Sequence, residues 1–230
     1  MIYFTGDMHG QQERFAAPAM KKLREDDTLI ICGDFGFLWK NNTKEQRFLD
    51  KLEKKKFNIC FLDGTHENFE ALNDFPIVLF AGGKAHRVRR NVFHLMRGQV
   101  FQIEGKKIFT LGGGESPESA LKEDEELDTV RYEIPDRNEM LEAVRNLEQV
   151  NYTVDYIATH EPPAGIRAFL LMSEDEIPAV SALGAFLDEL KTTATYEKWF
   201  FGSLHTDKHI SPSMTSVFEK ILDPVTGKSL

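Results

Sequence analysis

The sequence is short of several things, and each scarcity excludes something. It has two cysteines in 230 residues. Cys32 and Cys60 each sit inside an apolar run, so they read as reduced core residues of a cytoplasmic protein rather than as a disulfide framework. No apolar run approaches the ~18 residues that a membrane span needs. The N-terminus lacks the basic segment and apolar stretch of a secretory signal, because a charged, Gly-containing segment begins by residue 6. Positive charge is in deficit: 28 Lys and Arg stand against 37 Asp and Glu, a net charge of −9. That balance disfavours broad binding to nucleic acid or to an anionic membrane, both of which need a positive surface, and leaves room only for a small basic pocket that holds an anion. Repeats, low-complexity tracts and a convincing linker are absent. Residues 1–230 therefore read as a single domain, long enough to bury a sizeable core.

What is present has a consistent grammar. Five short apolar runs each end in a polar corner, mostly with glycine: "IYFTGDMHG" (2–10), "TLIICGDFG" (28–36), "FNICFLDGTHE" (57–67), "VDYIATHEPP" (154–163) and "KWFFGSLHTD" (198–207). Runs of this length with little polar alternation suit strands buried on both faces. Between them, residues 11–25, 43–56 and 137–150 place apolar side chains at spacings of three and four, the helical pattern. Thr43, followed by Gln46, suits an N-cap with a capping box. Strand, helix, strand at the start implies parallel pairing with right-handed crossovers. Residues 86–114 instead offer short strands with tight connections, expected to be antiparallel. "HRVRR" (86–90) suits an exposed edge strand, with phosphate holding together with Arg97 as the lesser reading. Residues 115–128 are acidic and read as a surface excursion, residues 214–221 as a closing strand.

Ligands of α/β proteins sit at the ends of strands, where the loops emerge. Here those ends carry Asp7, His9, Asp34, His66, His160 and His205. Of seven histidines, four fall at such corners, while His86, His94 and His209 do not. A lone corner histidine is usually a structural hydrogen-bonder; four beside two aspartates point to a metal. Asp7 and His9 are two residues apart and, in extended geometry, project to one side. Carboxylate oxygens and imidazole nitrogens together suit divalent ions of intermediate hardness.

In that order, "GDMHG", "GDFG", "GTHE", "THEPP" and "GSLH" resemble the calcineurin-like metallophosphoesterases. The resemblance spans residues 2 to 207 and implies an α+β fold, a four-layer α/β/β/α sandwich of mixed sheets flanked by helices with the site at one edge. It implies that Asp7, His9 and His205 bind a first metal, that Asp34 bridges two metals and that His160 binds the second. It implies that His66 serves the leaving group and that Glu67 orients His66. Two family positions differ. Thr65 stands where the family has asparagine and Ser203 where it has a histidine ligand, and both belong to the second metal. Both residues also suit ordinary hydrogen bonding beside the ligands. The activity implied is hydrolysis of a phosphomonoester or phosphodiester by metal-activated water, low because of Thr65 and Ser203. The cofactor is one or two divalent ions per chain, Mn2+ first, with Fe, Zn or Ni as alternatives. The partner is a small phosphorylated substrate, with nucleic acid only as a phosphodiester substrate and no membrane; no oligomeric state is specified. The alternative is an impaired or single-metal member of the fold acting as a binding or scaffold protein.

Several motifs are set aside. "DFG" at 34–36 lacks a kinase catalytic loop, and "VTGKS" at 225–229 has Leu222 where a phosphate-binding loop needs glycine. "LGGGESPES" (111–119) is a glycine-rich corner at least as readily as an anion cradle. The "KKK" at 54–56 suits a helix C-terminus.

Overall fold

The computed structural model describes residues 1–115, 132–171 and 180–230. The expected acidic excursion therefore lies, from residue 116 on, outside the described residues. The first three apolar runs become β1 (Ile2–Thr5), β2 (Thr28–Ile31) and β3 (Asn58–Phe61), paired in parallel. They are joined by β4 (Ile77–Phe80), β5 (Gly83–Arg89) and β6 (Val92–Leu95) in a sheet of order β1-β2-β3-β6-β5-β4. A second sheet is built from β7 (Gln99–Ile103), β8 (Lys106–Leu111), β9 (Tyr156–Thr159), β10 (Lys198–Phe201), β11 (Lys208–Ser211) and β12 (Met214–Ser216). Its order is β11-β12-β10-β9-β8-β7, parallel at its centre and antiparallel at both edges.

The period of two along each strand builds the layers. Ile2 and Phe4, Ile30, Cys60 and Leu62 from the first sheet meet Ile108, Tyr156, Ala158 and Phe200 from the second in one core between the sheets. Phe4 stacks on Phe200 with ring centroids 4.1 Å apart. The alternate residues Tyr3, Leu29, Ile31, Ile59 and Phe61 face outward into a second core. That core is closed by Phe48, Leu49 and Leu52 of α1 (Thr43–Leu52) and Leu72 of α2 (Phe69–Asn73). On the far side Phe109, Ile157, Trp199 and Phe201 pack under α3 (Arg137–Gln149) and α5 (Ala182–Thr193), with α4 (Ala164–Leu170) between them in sequence. Each fully buried side chain of this kind contributes ~1.5–3 kcal/mol, so the sandwich is held mainly by these three apolar layers. The architecture is the expected helix, sheet, sheet, helix arrangement. Cys32 and Cys60 are buried free thiols, as expected.

Several local expectations are corrected. Residues 11–25 form two short 3-10 helices, Gln12–Ala16 and Ala19–Lys22, not one amphipathic helix. Pro18 lies between them, and the residue before it, Ala17, is extended with φ −56° and ψ 150°, as the ring of a following proline demands. The N-cap of α1 is Asn42, whose side chain accepts from the backbone N–H of Lys44 and Glu45, so Thr43 is the first helical residue. The "HRVRR" segment is not an edge: β5 is covered on one side by β4 and on the other by β6. β6 is antiparallel to β5 but parallel to β3, which extends the parallel half of the sheet. The closing strand is only Met214–Ser216, and an unforeseen β11 flanks it. The exposed edge of β1 is shielded by the C-terminal segment, where Phe4 and Leu222 exchange backbone hydrogen bonds of 3.0 and 2.8 Å.

A buried polar chain crosses the first sheet. Asp63, just beyond β3, accepts from Arg97 Nε at 2.8 Å and Nη2 at 2.6 Å, and lies 3.0 Å from His94 Nε2. His94 Nδ1 in turn lies 3.0 Å from His86 Nδ1 on the neighbouring strand. Arg97 also donates to the backbone carbonyls of Tyr132 and Glu133 and to the Glu139 carboxylate, which ties β3's corner to the start of α3. Burial pushes the Asp63 carboxyl up, but the Arg97 guanidinium and the His94 ring outweigh it and hold it well below the usual carboxylate range. Because the folded value is depressed, this stabilisation is complete above the unfolded carboxylate value of ~3.9 and fades as pH falls below it. Asp63→Asn leaves the buried Arg97 guanidinium with Glu139 as its one carboxylate partner among the described residues and is expected to lose ~3 kcal/mol of stability at pH 7. Urea unfolding should show the gap to wild type narrowing below about pH 4; equal midpoints at pH 7 would contradict this account.

Candidate active site

Asp34 organises the site. It follows β2, and two other chain segments are bonded to it. Its carbonyl accepts the N–H groups of Met8 and His9, both at 2.9 Å. Its Oδ1 accepts the N–H groups of Thr65 and His66 at 2.8 and 2.9 Å. Its Oδ2 lies 3.0 Å from His66 Nδ1 and 3.8 Å from His9 Nδ1. The fit is tight: a Cβ on Gly64 would sit 2.1 Å from Asp34 Oδ1, so only glycine lets the third corner reach it.

Asp7 anchors the opposite side. It is fully buried, and its Oδ2 accepts the N–H of Ser203 at 2.9 Å and lies 3.2 Å from His205 Nε2. Its Oδ1 is buried with no hydrogen-bond partner among the described residues; His160 Nδ1 is at the long distance of 3.5 Å. His9 and His205 point their Nε2 atoms at each other, 2.8 Å apart. The expected reason for the meeting of Asp7 and His9 is corrected here. β1 ends at Thr5, and His9 enters the site through a left-handed turn with φ 46°, not by alternation along a strand. Asp34, Ser203 and His205 also have positive φ, at 43°, 64° and 46°. Non-glycine residues in that region cost of order 1–3 kcal/mol each, so the corners are held in shape by the bonds just described.

One ligand atom each from Asp7, His9, Asp34 and His205 lies within 4.8 Å of all the others. Two carboxylates, one with an orphaned oxygen, and two converging imidazoles leave a deficit of positive charge that a divalent cation would fill, and oxygen with nitrogen donors suits an ion of intermediate hardness. His160 is outside that foursome. It is buried, its Nδ1 faces the Cys32 carbonyl at 3.3 Å and its Nε2 lies 3.9 Å from Asp34 Oδ1. A ring whose Nδ1–H is held by a backbone carbonyl presents Nε2 for coordination. Only glycine fits beside it, since a Cβ on Gly33 would meet its ring at 1.9 Å. Burial depresses the His160 ring, yet Asp34 and Asp7 outweigh burial and hold it up to about 10. Burial pushes Asp34 up as well, and His160 and His66 more than reverse it, leaving a carboxyl well below its ordinary range. His205 is raised, first by its bond to Asp7, whereas His9 is lowered, first by burial.

Thr65 and Ser203 both act through their backbone N–H groups, one on each aspartate, and Thr65 Oγ1 also lies 3.1 Å from His66 Nδ1. The Glu67 carboxylate is directed to the backbone N–H of Phe35, where it holds the corner after Asp34. Arg14 was not foreseen. Its guanidinium bonds to the Asp7 carbonyl, the Phe218 carbonyl and Thr5 Oγ1, bracing the first corner against the C-terminal segment. Its sequence signal, an arginine seven residues after Asp7, has no distinguishing pattern. Among the described residues no helix is long and apolar enough to cross a membrane.

Residues 1–202 match the model of a protein family described as Calcineurin-like phosphoesterase. No curated protein sequence matches the chain. Among solved structures, phosphopantetheinyl hydrolase (PptH) from Mycobacterium tuberculosis is similar at 17% identity, with 94% of this chain and 89% of that chain covered and a TM-score of 0.47. A protein serine/threonine phosphatase from Saccharomyces cerevisiae, with similarity to human phosphatase PP5, is similar at 14% identity, with 94% and 66% covered and a TM-score of 0.35. At those scores neither assigns a role to any residue here.

A cation that binds the folded site alone stabilises the chain by mass action, by ~2.7 kcal/mol at a concentration a hundredfold above its dissociation constant. Thermal unfolding with and without Mn2+ should show this gain, and His205→Ala should remove most of it. An unchanged melting temperature in saturating Mn2+, Zn2+ and Fe2+ would contradict the metal reading of the cluster.

Proposed function

This chain belongs to the calcineurin-like phosphoesterase family, and from that premise we propose that it is a metal-dependent phosphoesterase that hydrolyses a phosphomonoester or phosphodiester of a small substrate. The observation that carries the reading is the convergence of Asp7, His9, Asp34 and His205 beside a half-exposed His66. A phosphoryl group is hard to attack because its own charge repels nucleophiles and its leaving alkoxide is poor. Divalent ions, when bound, acidify water and offset phosphoryl charge. Asp7, His9 and His205 are the residues proposed to hold the first ion, and Asp34 to reach both. Water oxygen bonds to phosphorus as the bond to the leaving oxygen breaks; that oxygen takes a proton from the His66 ring to give an alcohol, and the water's protons leave on the phosphate product, one passing to solvent as the ring is reprotonated. The Asp34 carboxylate, 3.0 Å from His66 Nδ1, orients the ring. Glu67, through its hold on the Phe35 N–H, keeps the corner that carries Asp34 in place.

The second ion is proposed to be weak. Asp34 and His160 are its only ligands in the set that the family pattern names, because Ser203 and Thr65 fill the other two positions. A neutral hydroxyl is a poorer donor than imidazole and has a shorter reach. Turnover is therefore proposed to be low or to need high Mn2+. The same two substitutions favour a second reading, in which the chain keeps one ion and works as a binding protein. Retention of His66 speaks for chemistry, since binding alone needs no proton donor for a leaving group.

A panel of phosphomonoesters and phosphodiesters assayed with Mn2+, Ni2+, Zn2+ and Fe2+ separates the two readings. His66→Ala should slow an alkyl phosphate ester by ~10²–10⁴ and a p-nitrophenyl ester far less, because the latter leaves without a proton. Calorimetric titration with Mn2+ should show one tight and one weak site, with Ser203→His tightening the weak one. Two full sites at micromolar metal in the wild-type chain would refute the weakened-site proposal, and absence of turnover across the panel with one ion bound would favour the binding protein.

A further inference from the structure

The chain has two tryptophans. Trp199 is fully buried in the core under α5, but Trp39 is 49% exposed. A single exposed aromatic residue needs no explanation by itself. Trp39 differs by its position: its ring centroid is 6.3 Å from that of His66, whose side chain is 50% exposed. It is also held. The preceding Phe37 and Leu38 are buried in the outer core, the Trp39 carbonyl accepts from Asn68 Nδ2 at 3.0 Å, and the next N–H, of Lys40, donates to Glu45 of α1. Asn68 is itself the N-cap of α2, three residues before Ala71 whose N–H it binds. The backbone that carries the indole is therefore held, and the ring is an exposed apolar surface beside the group assigned to the leaving oxygen.

We propose that Trp39 is a specificity-determining residue that stacks on a flat ring carried by the leaving group, and that the substrate class is a nucleotide. The inference rests on the phosphoesterase reading, because His66 marks the leaving side only under it. With phosphate at the aspartates and the ester oxygen at His66, a base joined to that oxygen through one sugar would lie on the indole, 6.3 Å from the His66 ring. The negative charge of the chain disfavours a long polyanion and so favours a mononucleotide over a nucleic acid. Stacking of a base on an aromatic side chain corresponds to a gain of roughly 5- to 150-fold in affinity.

The test uses the Mn2+-loaded chain and two probes that cannot be hydrolysed, the methylene phosphonate analogues of adenosine 5′-monophosphate and of ribose 5-phosphate, measured by calorimetry. The expected result is at least about tenfold tighter binding of the adenosine analogue. Trp39→Ala should bring the two affinities together and Trp39→Phe should keep most of the difference. Equal affinities in the wild-type chain, no binding of either probe, or a preference that survives Trp39→Ala would overturn the proposal. Binding is read without turnover, so a preference for the adenosine analogue in a chain that hydrolyses nothing would sink the phosphoesterase reading and leave the stacking surface standing.

Discussion

The site depends on two aspartates buried within reach of the same histidines. Negative charge in a low-dielectric interior is expensive unless every oxygen is answered. The Asp34 carboxylate is answered by two N–H groups on Oδ1 and by the His66 ring beside Oδ2, and its carbonyl takes two more N–H groups. Asp7 is answered on one oxygen by Ser203 and His205, while its Oδ1 has no hydrogen bond among the described residues. Because the N–H groups come from corners of other strands, satisfying the aspartates and assembling the site are one event. The left-handed φ values at His9, Asp34, Ser203 and His205 follow from it. The corners give up local comfort to bring these groups together, and the three apolar layers supply the stability that lets them.

This arrangement explains why two unusual residues can coexist with an intact geometry. Thr65 and Ser203 contribute their backbone N–H to Asp34 and Asp7, and any residue can do that. On the proposed reading, Thr65 and Ser203 cost a second ion two ligands without loosening the aspartates proposed to hold the first. On that reading, architecture and metal count are separable in this fold.

The corners were legible in the sequence because they are local: an apolar run that stops at glycine, aspartate and histidine declares a strand end wherever it pairs. The layers followed from the same runs, since alternate residues of nearly all-apolar strands must face two cores. What failed had its cause far away in the chain or in one residue. Pro18 broke the helix expected over 11–25. The order β3-β6-β5-β4, which moved the "HRVRR" strand inward, is set by long-range pairing that no short pattern announces. Nothing in the sequence joined Asp63 and His94 to Arg97 and His86; the four meet only when β3, β5 and β6 are side by side. Arg14 was invisible for the same reason, since one of its partners, the Phe218 carbonyl, lies 204 positions away.

The most direct test is anomalous diffraction from a crystal of the chain grown with Mn2+, with data collected on both sides of the manganese absorption edge. The account predicts a strong peak bounded by the carboxylates of Asp7 and Asp34 and the rings of His9 and His205. A map with no peak there, or with those four side chains too far apart to share an ion, would contradict it.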